Sequence, residues 1–257
     1  MKQIIHITFF SLFLAGIMVL MGFIYMENGK QLLGETEVNI IRKGDRGFLS
    51  AADIMKIIDT EVADSAQKIK DLNMALLEEK IMVNPYIDQV DAFVNVDKDL
   101  VINVKEKEPF LRVFTRYGKG FYLDEEGQPF PLNDKHASMV TIASGYINLD
   151  FDELTGIPLT GEGDELLADL YYLAAEVSKS EFLKAQVSQI YLNSIGEYDL
   201  IPEVGDQVIQ LGSLEDLEDK LERLELWYKK TFTKEEVEQY STINLKFKGQ
   251  VVCSRKQ

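Results

Sequence analysis

The sequence predicts an α+β protein: one N-terminal transmembrane helix, a small βααββ unit, and a second β-rich domain with a long C-terminal helix and a final edge strand. Three observations carry this. The run Ile4–Met26 holds 23 residues without a single Asp, Glu, Lys or Arg. Apolar periodicity across 37–108 switches in the order strand, helix, helix, strand, strand. After Pro109 the pattern changes to short apolar runs divided by glycine-bearing turns, which is the signature of many strands.

The first element is the apolar run. As a helix rising about 1.5 Å per residue it spans about 34 Å, enough to cross a bilayer core with some tilt. A cleaved signal peptide is the rival. It wants an apolar run of about 7–15 residues followed by a small-residue cleavage site, and Gly22-Phe23-Ile24-Tyr25-Met26 offers none. The expected layout is a tail over 1–3, an anchor over 4–26 and a stalk over 27–36. Lys2 on one side and Lys30, Arg42 and Lys43 on the other nearly balance, so charge leaves the orientation open.

The second element is the βααββ unit, 37–108. Val38–Arg42 reads as a strand and Lys43–Gly47 as a turn. Ser50 with Asp53 forms a capping box for a helix to about Asp59, which places Ile54, Ile57 and Ile58 on one face; Leu49 staples onto Ile54. A second helix is expected over Ala66–Met82, with Ile69, Leu72, Leu76 and Leu77 facing the sheet, and Asn84-Pro85 ends it. Val90, Ala92, Val94 and Val96 alternate as one strand, and Leu100, Ile102 and Val104 as the next, across an Asp97-Lys98-Asp99 turn. Two helices then cover one face of a small sheet.

The third element is the β-rich domain, 109–257. Leu111–Phe114 and Phe121–Leu123 flank a hairpin turn at Gly118-Lys119-Gly120; Phe130–Leu132 and Val140–Ala143 are further strand segments. Asp164–Val177 is an amphipathic helix with Leu166, Leu167, Leu170, Leu173, Ala174 and Val177 in one stripe. Strands follow at 187–192, 198–201 and 208–211. Ser213 with Asp216 is expected to cap a last helix that buries Leu217, Leu221, Leu224 and Tyr228. The chain closes on Ile243–Phe247, Lys248-Gly249-Gln250 and Val251–Cys253, a strand pair or one bent strand.

Composition excludes several functions. Asp plus Glu number 43 against 27 Lys plus Arg, a net charge of −16. Nucleic-acid affinity rests on neutralising phosphates, and this chain has the wrong sign for it; it is equally unsuited to lying flat on anionic lipid. The single cysteine, Cys253, rules out an intramolecular disulfide and sits in an apolar strand, where a thiol is buried and inert. His136 has no histidine or cysteine nearby to share a metal. Asn148, Asp150 and Asp152 open like a calcium loop, but Glu153 stands where glycine is needed and Leu159 where glutamate is. Gly161-Glu162-Gly163 lacks the lysine of a phosphate loop, and no G-x-S-x-G occurs. Trp227-Tyr228 is read as core on one side and rim on the other, with a partner contact as the alternative.

Particular residues carry a resemblance. Val38–Ile41 with Arg46-Gly47-Phe48-Leu49-Ser50 resembles the opening of a POTRA domain. Asn84-Pro85-Tyr86-Ile87, Val90-Asp91-Ala92, Leu100–Val104 and Glu106-Lys107-Glu108-Pro109 resemble its close. Tyr122–Gly127, and Ile243–Phe247 before Gly249-Gln250-Val251-Val252, are similar to the FtsQ/DivIB family of bacterial cell-division proteins, in a Bacteroidetes-type spelling. The resemblance covers the whole chain, and the three-residue tail is its main departure. It implies an inner-membrane protein with a cytoplasmic N-terminus and periplasmic domains. It implies a non-enzymatic scaffold without cofactor or metal, which recruits the bitopic proteins FtsB and FtsL and links them to the septal peptidoglycan synthase.

The same resemblance implies a partner-binding final strand at Ile243, Leu245, Lys246, Phe247, Gly249, Val251 and Val252. Physical reasoning points there too, because an exposed edge offers unpaired backbone groups to a partner strand. Lys246 would meet an acidic residue, Phe247 would anchor, and Gly249 would permit a bend. The plainer alternative makes Phe247 and Val251 core and Lys246 a solvated edge guard. Two other functions fit the layout: a membrane-anchored POTRA-bearing assembly or transport factor that binds extended client polypeptides, and a tethered envelope hydrolase.

Overall fold

The structure is a computed structural model describing residues 10, 12–22, 33–44, 47–64, 69, 72–149, 151, 165–230 and 237–256. Most of the stalk, Asp45, Arg46 and the calcium-like and glycine-rich motifs within 152–164 lie outside them. Much of the proposed anchor does too; within it, 12–22 is helical, with Leu12, Met18, Val19, Leu20 and Met21 exposed. Among the described residues no helix is long and apolar enough to cross a membrane. The chain forms two compact units that divide between Lys107 and Glu108.

The first unit is a three-stranded sheet with two helices. Its strands are β1 (Thr36–Ile41), β2 (Ile87–Val94) and β3 (Leu100–Glu106), and its helices are α1 (Ala51–Asp64) and α2 (Met74–Met82). The order is β1-β3-β2, with β1 parallel and β2 antiparallel to β3. The strand β1 begins at Thr36, inside the expected stalk, because Gly34 and Glu35 are fixed to the β2–β3 turn. The Gly34 amide donates to the Lys98 carbonyl at 2.8 Å and the Glu35 amide to Asp99 Oδ1 at 3.0 Å. A Cβ on Gly34 would lie 2.3 Å from that same Asp99 oxygen, so a side chain here would push Asp99 off the Glu35 amide.

The capping box forms as the sequence predicts. The Ser50 amide and hydroxyl both donate to Asp53 Oδ2, at 2.9 and 2.7 Å, and the Asp53 amide donates back to Ser50 Oγ. Ile54 and Ile58 are fully buried. Four expectations fail. The helix α1 runs on to Asp64, beyond Asp59. The second helix starts at Met74, capped by Asn73 Oδ1 accepting from the Leu76 amide, so Ile69 and Leu72 precede it. Its buried residues are Leu77 and Ile81, whereas Leu76 is 44% exposed; the later start removes the turn that would have aligned Leu72 with Leu76. Val96 is 98% exposed, because β2 ends at Val94 and the Asn95 side chain folds the chain into a turn with Asp99.

Glu106 closes this unit. Only 3% exposed, it accepts the Leu49 amide at 2.5 Å and faces Arg42 Nε at 3.7 Å. Phe48 stacks on Tyr86 beside it, with centroids 5.3 Å apart.

The second unit is a nine-stranded sheet. Its strands are β4 (Pro109–Phe114), β5 (Gly120–Asp124), β6 (Pro129–Pro131), β7 (Thr141–Gly145), β8 (Val187–Leu192), β9 (Tyr198–Pro202), β10 (Val208–Gly212), β11 (Tyr240–Asn244) and β12 (Val252–Arg255). The order is β12-β11-β10-β9-β8-β7-β4-β5-β6. Three neighbouring pairs are parallel: β4 with β7, and two more joined by helical crossovers. The first crossover, β7 to β8, carries α3 (Glu165–Ser178) and α4 (Glu181–Gln186); the second, β10 to β11, carries α5 (Leu217–Lys230). Leu167, Leu170, Leu173 and Val177 of α3 and Leu217, Leu221, Leu224 and Tyr228 of α5 share one core with Leu111, Ile190, Leu200, Ile209 and Ile243 of the sheet.

Two local readings need correction. The helix α4 was not expected; Ser180 caps it by accepting the Leu183 amide, and six residues are too few to show a period. Ser213 does not cap α5. Its carbonyl accepts Lys220 Nζ at 2.7 Å, and the helix begins at Leu217 after Asp216, which has φ +53.

Candidate functional site

The sheet of the second unit has two edges, and they differ in chemistry. At one end β6 is three residues long and two are proline, a strand that cannot extend a ladder. At the other end lies β12, Val-Cys-Ser-Arg, without proline.

The alternation of hydrogen bonds fixes which groups β12 leaves open. It pairs antiparallel with β11, Asn244 opposite Val252 and Ile243 opposite Cys253, through an irregularity between Tyr240 and Thr242. The Lys256 amide donates to the Gln239 carbonyl at 2.8 Å, and the Ser254 carbonyl accepts from Ser241 Oγ at 3.3 Å. Residues 252, 254 and 256 therefore turn their backbone groups toward β11. Those of Cys253 and Arg255 point to the open side.

The predicted site residues divide between this edge and the core. Ile243 and Leu245 are completely buried, Ile243 on a strand flanked by β10 and β12. Val251 is half-buried against the core, and Val252 is 42% exposed on the edge strand itself. Between them Phe247, Lys248, Gly249 and Gln250 form a turn in which the Gln250 amide donates to the Phe247 carbonyl at 3.2 Å. Gly249, at φ +68, occupies the third position, where a type II turn needs a residue with positive φ. Phe247 stands on this turn with 54% of its surface exposed. Lys246 is paired within the chain, its Nζ 2.8 Å from Glu197 Oε2.

Three residues outside the expected partner-binding set belong to this region. Cys253 and Arg255 carry the open backbone groups. Burial pushes the Cys253 thiol up, against an opposing hydrogen bond from Trp227, so it is a poor nucleophile. Arg223 on α5 reaches the β11–β12 connection and donates to the carbonyls of Leu245, Phe247 and Gln250. Its spacing from Asp219 was legible as a helical ion pair, but nothing in the sequence pointed it at a loop 22 or more residues away.

The charge of this region departs from that of the chain. From Tyr240 to Gln257 there is no Asp or Glu, while Lys246, Lys248, Arg255 and Lys256 are basic, in a chain of net charge −16. Lys248 pairs with Asp216 and Lys256 with Asp206; Arg255 has no ion pair among the described residues. The edge thus offers open backbone donors and acceptors, an exposed Phe247 ring and, among the described residues, a cation without an ion pair. Such a surface suits an extended acidic segment.

Elsewhere, no group of three or more His, Cys, Asp or Glu among the described residues could hold a metal. His136 sits in a turn where Asn133 Oδ1 accepts its backbone amide at 3.1 Å.

The family model described as FtsQ/DivIB, C-terminal related matches residues 108–254. A second, described as POTRA-like domain, matches residues 34–105. No curated protein matches the chain.

Proposed function

Since the chain belongs to the FtsQ/DivIB, C-terminal related family, a family of non-enzymatic division scaffolds, we propose that it is a cell-division adaptor whose β12 edge takes up a strand from a bitopic partner. The partner is FtsB, acting with FtsL, and through them the chain meets the machinery of septal peptidoglycan synthesis. The run Ile4–Met26 anchors the protein in the inner membrane, with its N-terminus in the cytoplasm and both units in the periplasm.

The observation that supports this reading is the asymmetry of the nine-stranded sheet: prolines at β6, open backbone groups at Cys253 and Arg255 on β12. Strand addition draws affinity from main-chain hydrogen bonds and register from side-chain contacts. Phe247 and Val252 supply exposed apolar surface, and Arg255 supplies a cation for an acidic partner residue.

Depletion with microscopy tests the cellular role. Cells depleted of the protein form filaments without septa. Continued septation with an envelope-assembly defect instead would support the assembly-factor alternative.

A further inference from the structure

We propose that Arg223 is the positioning residue that fixes the β12 edge for its partner; this rests on the edge-strand reading above. The Arg223 side chain is 13% exposed, and its Nε donates to Asp219 Oδ2 at 2.9 Å, one helical turn earlier. That contact sets the plane of the guanidinium. Nη1 then donates to the Phe247 carbonyl at 3.2 Å and to the Gln250 carbonyl, and Nη2 donates to the Leu245 carbonyl at 3.3 Å.

The three carbonyls belong to the segment between β11 and β12, outside both strands. None of the three lies in a ladder, and of them the Phe247 carbonyl already accepts the Gln250 amide within the turn; Arg223 adds a donor there and supplies donors to the Leu245 and Gln250 carbonyls. One planar fork with five donors serves all three at once. Two neighbouring ion pairs, Lys246–Glu197 and Lys248–Asp216, lie on more exposed side chains and are weaker ties. Arg223 therefore decides where Phe247 stands and where β12 begins. A partner strand that adds to an ordered edge does not have to order it. Lysine in this place keeps the charge but cannot hold three acceptors in one plane.

The test uses the full chain in detergent micelles, with full-length FtsB from the same cell as the probe. Arg223→Lys is compared with Asp219→Asn, which touches only an exposed carboxylate and leaves the core alone. Arg255→Pro blocks an outward-facing edge amide. Three quantities are read: the melting temperature, amide exchange over 245–252, and FtsB affinity. Both clamp variants are expected to melt within a few degrees of the parent, to exchange faster over 245–252, and to bind FtsB about tenfold more weakly. Unchanged exchange over 245–252 in both overturns the clamp. Faster exchange with unchanged affinity, while Arg255→Pro abolishes capture, overturns its positioning role and leaves the edge site standing. Capture that survives Arg255→Pro as well removes the edge reading and the proposal with it.

Discussion

Lys246 Nζ lies 2.8 Å from Glu197 Oε2, which ties the β11–β12 connection to the turn between β8 and β9. The lysine that the sequence offered to a partner's carboxylate is thus engaged within its own chain. Gly212 lies close beneath it; a Cβ there would come within 2.8 Å of Lys246 Cγ, and the φ of +79 already favours glycine.

An exposed pair of this kind contributes less than about 1 kcal/mol. Lys246→Glu sets two carboxylates against each other. It should lower the melting temperature at low salt, less so at high salt, and Glu197→Lys in the same chain should restore it. Thermal unfolding of the two single variants and the double variant checks this. Equal melting temperatures for Lys246→Glu with and without the second change would show that the pair does not form.

The core of the first unit makes a second prediction. Ile81 is fully buried on α2, and Ile81→Ala should cost about 2–5 kcal/mol. Leu76 is 44% exposed, and Leu76→Ala should cost no more than about 1 kcal/mol. Urea unfolding of the full chain in detergent, read by amide exchange in β2 and β3, separates the two. The reverse ranking would return α2 to the face that the sequence alone suggests.

This contrast shows where the sequence was legible. Long periodic stretches declared themselves: the stripe of α3, the buried face of α5 and the Ser50–Asp53 box lie where pattern and capping chemistry place them. Short or shifted elements did not. Leu76 and Leu77 are adjacent, so a helix that starts eight residues later than expected buries one and exposes the other. The helix α4 spans fewer than two turns and has no period to read. At the edge, Gly249 marked the turn, but β11 spans Tyr240–Asn244 where Ile243–Phe247 was expected, Phe247 falls in the turn, and Ile243 and Leu245 are core. The role of Arg223 depends on a contact 22–27 residues away, which no local pattern contains.

Topology gives a third prediction. If Ile4–Met26 anchors the chain with its N-terminus inside, alkaline phosphatase fused after Gln257 is active. An inactive fusion, with a cytoplasmic reporter active at the same site, would reverse the orientation and remove the periplasmic partners from reach.

The most direct test of the edge-strand account is residue-resolved amide exchange across β12 before and after FtsB is added to the full chain. Strand addition protects the amides of Cys253 and Arg255, which face outward, and leaves Ser254, already turned toward β11, unchanged. That alternation is the predicted result. FtsB bound with no gain in protection at Cys253 and Arg255 would contradict the account and place the partner on another surface.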